Sequence, residues 1–201
     1  MQYQTHELFP TSVVRVNCDG LFTDQDRQMM MQSVDQLIEM GLYTDNELTP
    51  KYQTQVILFH DDAPEIWKRL KTSFYGACKT YLEVVKDFTS NQNALEFTGS
   101  GAWCYKGWKS LNQRETNPYH HHNPAFLSGV YYLRVPGDGA TGGTEFHDPR
   151  TAPAIGTRNQ CVSPIENSWV IFPGWLQHRS NFVDTEEPRY VIAANIYARV
   201  R

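Results

Sequence analysis

Hydrophobic residues follow two different periods along the chain. In roughly the first 90 residues they recur every three or four positions, which predicts helices that each bury one face. The first helix is predicted to begin after Thr23, whose hydroxyl is of the kind that caps a helix N-terminus. The second is predicted to begin at Asp62-Ala-Pro-Glu65, with Asp62 as its cap. Short strands are predicted at 8–16 and 55–59, ahead of these two helices.

After about Leu95 hydrophobic and polar residues alternate, which is the period of a half-buried strand, and turns rich in Pro and Gly recur. Two helices followed by a run of short strands predict an α+β protein whose functional part is a barrel or sandwich. We expect no helix longer than about ten residues after Ala125. The predicted strands are 95–97, 102–108, 126–135, 143–147, 160–162, 168–172 and 188–198.

The composition is that of an ordinary globular protein. A length of 201 residues with 40% hydrophobic residues predicts one domain, 1–201, with a helical part at 1–92 and a β core at 93–201. A net charge of −4 without a run of Lys or Arg gives no strong nucleic-acid signal. The four cysteines form no CxxC pair, the N-terminus is not a signal peptide, and no apolar stretch is long enough to span a membrane. We therefore expect a soluble, cytoplasmic protein.

Three consecutive histidines, His120, His121 and His122, come just before the predicted strand at 126–135. Alternate residues of an extended chain point to the same side, so His120 and His122 are able to face one metal ion while His121 faces away. His178 follows another apolar strand much later in the chain. Neutral imidazole is a good ligand for Fe, Zn, Cu and Ni, and we predict a metal site of these three residues in the mouth of a small barrel. For the triplet alone, a polar loop of unrelated histidines is the alternative.

Arg189 opens the last predicted strand, and its side of that strand continues with Val191, Ala193 and Asn195. An arginine whose neighbours on the same side of the strand are small or apolar suggests a charged side chain that points into a pocket. A guanidinium binds a carboxylate through two parallel hydrogen bonds, so Arg189 suits a dicarboxylic co-substrate. The alternative is an arginine at a strand end in solvent.

Several segments around these residues form a motif set. They are His120-His-His122, Phe126-Leu-Ser-Gly-Val-Tyr-Tyr-Leu133, Phe146-His-Asp-Pro-Arg150 and Val170-Ile-Phe-Pro-Gly-Trp-Leu-Gln-His178, followed by Arg189 and Asn195, and the opening Leu8-Phe9-Pro10-Thr11 also fits. Together they resemble a family of 2-oxoglutarate- and Fe(II)-dependent oxygenases found in marine bacteria and in phages of cyanobacteria. The resemblance covers nearly the whole chain.

This resemblance implies a cupin-like jelly roll, the double-stranded β-helix, with the two helices packed outside. It implies Fe(II) bound by His120, His122 and His178, with Arg189 holding the distal carboxylate of 2-oxoglutarate. Together with O₂, such a dioxygenase converts 2-oxoglutarate to succinate and CO₂ and hydroxylates a C–H bond of its substrate. The resemblance does not identify that substrate, which is expected to be a small molecule or a peptide. A homodimer and, for a phage gene, the host cytoplasm are further expectations. Additional candidates for lining the co-substrate pocket are Tyr131, Tyr132 and Asn195.

Two positions depart from the family pattern. The usual ligand set has a carboxylate where this chain has His122, and Asp148 or Glu145 are alternative sources of that carboxylate. Many relatives have Ser two residues after the arginine, where this chain has Val191. These departures keep two alternatives open: a cupin-type metalloenzyme with three histidines that does not use 2-oxoglutarate, and a non-catalytic jelly-roll binding or virion-associated protein.

The histidine pattern generates a prediction about metal content. His120→Ala and His178→Ala are each expected to abolish Fe(II) binding, because each removes one ligand of a three-ligand site. His121→Ala is the matched control and is expected to keep the wild-type iron content, which elemental analysis of the anaerobically loaded proteins measures. Iron loss in His121→Ala together with full iron in His122→Ala would show that the assumed alternation is wrong.

Overall fold

The computed structural model describes residues 10–45, 51–55, 57–85, 95–109, 118–137, 139, 141–148 and 159–200. Within these residues the chain forms two helices and ten strands. The helices are α1 (Asp24–Glu39) and α2 (Glu65–Val84). The strands are β1 (Val14–Asn17), β2 (Tyr43–Asp45), β3 (Lys51–Thr54), β4 (Leu95–Gly107), β5 (Leu127–Arg134), β6 (Thr144–Phe146), β7 (Gln160–Val162), β8 (Ser168–Pro173), β9 (His178–Ser180) and β10 (Arg189–Val200).

Both predicted helices are present, and their N-termini differ. At α1 the Thr23 hydroxyl accepts from the Asp26 N–H at 3.1 Å, and the Asp26 carboxylate accepts from the Thr23 N–H at 2.9 Å. This reciprocal capping box satisfies two N–H groups that the helix itself leaves unpaired. At α2 the N-cap is Pro64 and no side chain caps the helix. The prediction of Asp62 as a cap is therefore wrong. The N-cap position is two residues further along the chain, so the Asp62 side chain does not cap the first N–H groups of α2.

The strands form two antiparallel sheets. The larger has the order β1-β8-β5-β10-β4-β3-β2 and the smaller the order β7-β6-β9. Strands β5, β8 and β10 are buried along most of their length, because the helices cover one face of the large sheet and the small sheet covers the other. The expected α+β fold, a double-stranded β-helix with two helices outside, is confirmed. The described residues after Ala125 contain no helix, and neither described helix is apolar enough to cross a membrane.

The two faces of the large sheet bury two separate clusters of side chains. The larger cluster lies between the sheet and the helices, where the Phe74 and Trp169 rings are 4.9 Å apart and the Trp169 indole N–H donates to Ser73 Oγ at 3.0 Å. The smaller cluster lies between the two sheets. Because side chains alternate along a strand, neighbours such as Tyr131 and Tyr132 belong to different clusters. The small cluster is the one that borders the predicted histidines.

The strand predictions were accurate in the buried strands and failed near the edge. The strand predicted at 55–59 is wrong: β3 ends at Thr54, and Leu58 and Phe59 instead fill the helix-side cluster. The pieces predicted at 95–97 and 102–108 are one strand, β4, because β10 pairs with it along its whole length. The strand predicted at 8–16 is observed only as β1, and positions 8 and 9 lie outside the described residues.

The packing of α2 on the sheet generates a stability prediction. A Cβ atom added at Gly129 in β5 would lie 2.7 Å from the Phe74 ring and 2.8 Å from Ile171 Cδ1. Gly129→Ala is therefore expected to lower the free energy of unfolding by roughly 1–3 kcal/mol through overpacking. Gly76→Ala in α2 is the control: its Cβ would meet no atom within 4 Å, so it is expected to raise that free energy by roughly 0.5–1 kcal/mol. Urea denaturation followed by circular dichroism measures both, and an unchanged Gly129→Ala would contradict this packing.

Candidate active site

Three histidines meet at one side of the cavity between the two sheets. His120, ahead of β5, and His178, in β9, form a reciprocal backbone pair: each N–H donates to the other carbonyl, at 3.0 Å and 2.9 Å. The His122 N–H donates to the Gly174 carbonyl at 2.7 Å, so the same segment is fixed at a second point. The ligand nitrogens of His120, His122 and His178 all lie within 4.8 Å of one another. One metal ion is thus able to contact all three imidazoles.

Gly174 explains how two distant parts of the chain approach so closely. It follows β8 in the turn before His178, and a Cβ atom there would lie 2.1 Å from the Ala125 carbonyl oxygen. Only glycine fits this approach without movement of the backbone. The turn therefore packs directly on the segment that carries His120 and His122.

Backbone carbonyls orient two of the imidazoles. Nδ1 of His120 lies 3.0 Å from the Pro118 carbonyl oxygen, and Nδ1 of His178 lies 2.9 Å from that of Leu176. A carbonyl only accepts, so we assign the ring hydrogen to Nδ1 in both residues. Nε2 then presents its lone pair to the space between the three rings, which is the arrangement that metal-bound histidines have.

Burial keeps two of the histidines neutral. Burial first, and then the neighbouring His120 and His121, lower the pKa of His178 to about 3 and that of His122 to about 4. Neutral imidazole is the form that binds a metal ion. His121 is exposed and its Nδ1 accepts from the Asn123 N–H at 3.3 Å, so it points away from the cluster as predicted.

The two alternative carboxylates do not belong to the cluster. Glu145 lies in β6, where its Oε1 accepts from the Tyr119 hydroxyl, from Arg179 at 2.9 Å and from Asn159 at 3.1 Å. Neither Glu145 nor Asp148 is in the ligand group that the described residues form. The geometry therefore favours His122 over either carboxylate as the third ligand.

The cavity, of ≈ 90 Å³, extends from the histidines to Arg189 at the start of β10. Arg189 is only 9% exposed, and its Nη1 donates to Ser180 Oγ at 3.3 Å. Its Nε is buried without a hydrogen-bond partner, and the described residues supply it with no carboxylate. Burial lowers the pKa of Arg189, but a guanidinium in a protein stays charged.

Glycine also makes room for this arginine. Gly142 has φ +76°, and a Cβ atom there would lie 3.0 Å from Arg189 Nε. On the other side, the guanidinium carbon is 5.7 Å from the centre of the Tyr132 ring. The guanidinium is thus held between a bare backbone and an aromatic face, and its unpaired Nε–H is still able to donate to a ligand with acceptor oxygens.

The other predicted pocket residues have mixed outcomes. Tyr132 lies on the cavity side of the sheet, and its hydroxyl is 2.7 Å from Thr144 Oγ1. Asn195 is buried and accepts from Ser128 at 2.8 Å, and it is not among the residues that line the cavity. The expectation for Tyr131 is wrong, because alternation along β5 directs it to the helix side, where its ring is 5.1 Å from that of Trp169.

The cavity also contains residues that the sequence did not predict. Lys51 reaches it from β3, and Thr144 and Ser180 reach it from the small sheet. The Gly142-Gly-Thr144 sequence ahead of β6 is the one local signal that was available, since paired glycines often mark close backbone approach. The position of Lys51 beside the cavity depends on strand order, which local patterns do not encode.

Comparison with protein families identifies the segment that carries the site. Residues 106–195, which include the three histidines and Arg189, match the family described as "Putative 2OG-Fe(II) oxygenase". Residues 106–195 therefore carry the sequence of a 2OG-Fe(II) oxygenase. This match confirms the expected enzyme class and its cofactors, Fe(II), 2-oxoglutarate and O₂, while the individual residue roles and the marine or phage origin stay predictions. No curated protein matches the sequence significantly.

Solved structures of low sequence identity share the fold of this chain. A Pseudomonas putida prolyl-4-hydroxylase is 10% identical with a TM-score of 0.63, over 94% of each chain. A collagen prolyl hydroxylase of Paramecium Bursaria Chlorella virus-1, with 2-oxoglutarate, is 11% identical with a TM-score of 0.56, over 94% of this chain and 96% of that one. HygX from Streptomyces hygroscopicus, with nickel and 2-oxoglutarate, is 13% identical with a TM-score of 0.59, over 93% of this chain and 83% of that one.

The lowered histidine pKa values predict that the metal-free protein loses stability in acid. The ordinary histidine pKa is 6.5, whereas His178 titrates near 3 when folded, so between these values the unfolded state binds more protons. Stability therefore falls as the pH falls through this window. His178→Gln is expected to reduce the slope of the unfolding free energy against pH by about 1.4 kcal/mol per pH unit at most.

Urea denaturation of the chelator-treated proteins between pH 4.5 and 7 measures this slope. His121→Gln removes an exposed histidine from the same segment, so it is expected to keep the wild-type slope. Identical slopes for wild type and His178→Gln would contradict the assignment of a buried, neutral His178.

Proposed function

We propose that this oxygenase binds Fe(II) through His120, His122 and His178, binds 2-oxoglutarate between that metal and Arg189, and hydroxylates a C–H bond of its substrate. The observation that supports this most directly is a buried arginine in the same cavity as the three-histidine cluster. A buried charge without a counter-charge is costly, and a ligand carboxylate would supply one.

The shape of 2-oxoglutarate suits a site with these two ends. Its 2-oxo acid group is a bidentate metal ligand, and its other carboxylate lies at the far end of a short carbon chain. The free Nε–H of Arg189 and its Nη groups form a fork that matches a carboxylate. A ligand with a single anionic end would satisfy either the metal or the arginine, but not both.

The charges of the site point to a dianion as well. Three neutral imidazoles leave the two positive charges of Fe(II) uncompensated, one more than a set with a carboxylate ligand leaves. Arg189 adds a further positive charge in the same cavity. A co-substrate with two negative charges offsets much of this excess, so the absence of a ligand carboxylate increases the electrostatic attraction for 2-oxoglutarate.

The remaining contribution of the chain is orientation and exclusion of water. Val130, Phe172 and Val191 line the cavity between the histidines and Arg189 and keep it apolar. The carbonyls of Pro118 and Leu176 fix two imidazole rings. Bound iron supplies the activation of O₂, and the reaction converts 2-oxoglutarate, O₂ and a C–H bond into succinate, CO₂ and a C–OH group.

The substrate is proposed only as a class, a small molecule or a peptide. Two of the structural relatives are prolyl hydroxylases, so proline-containing peptides are reasonable first compounds to screen. Succinate formation that depends on the added compound identifies a substrate even when its product has not been characterised.

A cupin-type metalloenzyme without 2-oxoglutarate is the second candidate. His122 in place of a carboxylate and Val191 in place of a hydroxyl residue favour it. The buried Arg189 is the observation against it, because a three-histidine site alone does not need a second cation nearby. Formation of succinate during turnover separates the two candidates.

The role of Arg189 generates a binding prediction. 2-Oxoglutarate titrated into the anaerobic Fe(II) protein is expected to produce a saturable metal-to-ligand charge-transfer band. Arg189→Ala is expected to weaken binding by roughly ten- to a hundredfold, because a charge-assisted bidentate pair is lost. Arg189→Lys is expected to recover only part of the affinity, since lysine keeps the charge but not the fork.

Arg134→Ala is the matched control. Arg134 is an exposed arginine on the neighbouring strand β5 that pairs with Glu187 at 3.2 Å, so its loss is expected to leave the affinity unchanged. No band in the wild type, or equal affinities for wild type and Arg189→Ala, would reject the co-substrate assignment in favour of the cupin candidate.

A further inference from the structure

A row of three side chains lies next to the row that contains His120 and His178. The two histidines are paired in an antiparallel bridge, and one position along, the same register places Tyr119 opposite Arg179. Arg179 of β9 is in turn paired with Glu145 of β6. Paired residues of neighbouring strands share a face, and consecutive residues of a strand point to opposite faces. The three side chains therefore form a second row, directly behind that of the two histidines.

A single carboxylate oxygen joins the members of this second row. Glu145 Oε1 accepts from the Tyr119 hydroxyl, from Arg179 Nε at 3.2 Å and from Arg179 Nη2 at 2.9 Å. Asn159 Nδ2 donates to the same oxygen at 3.1 Å. The Arg179 guanidinium carbon also lies 4.4 Å from the centre of the Tyr119 ring. Both segments that carry these histidines are thus tied to β6 through the residue next to the histidine.

Backbone pairing alone holds His120 on β9 at one point. Its two hydrogen bonds with His178 form an isolated bridge, and the next bond of the same segment, from the His122 N–H to the Gly174 carbonyl, lies in the turn before β9. A metal ion binds tightly when its ligands are already in place, because ordering them on binding costs free energy. Side-chain contacts that fix Tyr119 relative to β9 therefore bear directly on metal affinity.

Stability alone does not account for a carboxylate at this position. The side chains of Glu145 and Arg179 are only 12% and 28% exposed. Desolvation offsets much of the attraction in such a pair, and an apolar pair of similar size would often fold as well. A carboxylate oxygen that accepts from three residues provides instead a fixed geometry, which apolar contacts do not specify.

We propose that Glu145 is a positioning residue for the iron site. By binding the residue next to each of them, it holds His120 and His178 at the separation that one metal ion requires. The proposal rests on the proposed function, because it concerns the same bound iron. It also gives a role to a carboxylate that lies beside the ligands without belonging to their cluster.

Two single variants and their combination test this role. Fe(II) affinity is measured anaerobically by competition with a chromogenic chelator. Tyr119→Phe removes one hydroxyl and changes no charge, so it is expected to weaken Fe(II) binding roughly three- to tenfold. Glu145→Gln removes the charge that all three donors share, so it is expected to weaken Fe(II) binding about tenfold or more. The double variant is expected to bind little more weakly than Glu145→Gln, because both changes act on the same contact.

Glu166→Gln is the matched control. Glu166 also forms a partly buried ion pair, with Arg27, and accepts from the Val135 N–H at 2.8 Å, but it is not among the described residues that line the cavity. Its substitution is expected to lower the free energy of unfolding in urea and to leave the Fe(II) affinity unchanged. Weaker Fe(II) binding in this control would show that affinity follows overall stability, and would overturn the role of Glu145.

The remaining outcomes separate this inference from the proposed function. Unchanged Fe(II) affinity in Tyr119→Phe and Glu145→Gln overturns the role of Glu145 and leaves the function intact. Weakening in only one of them also overturns it; in Glu145→Gln alone, the uncompensated charge of Arg179 is then what repels the metal ion. Loss of all Fe(II) binding in Glu145→Gln, with full binding in His122→Ala, makes Glu145 a ligand and overturns both. A wild type that does not bind Fe(II) overturns the function, and the role of Glu145 with it.

Discussion

The structure depends on the burial of three strands, β5, β8 and β10, on both of their faces. Side chains that alternate along these strands serve two different purposes. One set packs under α2, where Phe74 contacts Trp169, and the other borders the cavity with its histidines and Arg189. A shift of one residue in any of these strands would exchange the two sets. The helix-side core therefore does more than stabilise the domain, because it fixes which residues face the histidine cluster.

Features encoded within single segments were predictable from the sequence. The capping box at Thr23, the alternation of His120, His121 and His122, and the long strand after Arg189 each depend on residues a few positions apart. Local patterns do not show which distant segments meet in the fold. The family motifs supplied this information, because they place His120, His178 and Arg189 in one site. Together they were sufficient to identify the histidine cluster and the arginine.

Features that depend on the order of strands were not predictable. Tyr131 and Tyr132 are equivalent in sequence, and only the position of the helices decides which one faces the cavity. Glu145 is a candidate ligand by its position in the sequence, yet its carboxylate is engaged by Arg179 and Asn159 across the small sheet. Lys51 belongs to β3, a four-residue strand whose own pattern is too short and too polar to identify. In each case the missing information is how elements that are distant in sequence are arranged around one another.

The unpaired Nε of Arg189 has a consequence for the whole domain. A guanidinium that is buried with one weak serine contact is a defect when the protein is considered only as a fold, since an apolar side chain of similar size would pack there without desolvation. Selection for stability alone would remove it. The domain thus keeps a local weakness at the residue that we propose binds the co-substrate carboxylate, which is the compromise between robustness and activity that binding sites commonly show.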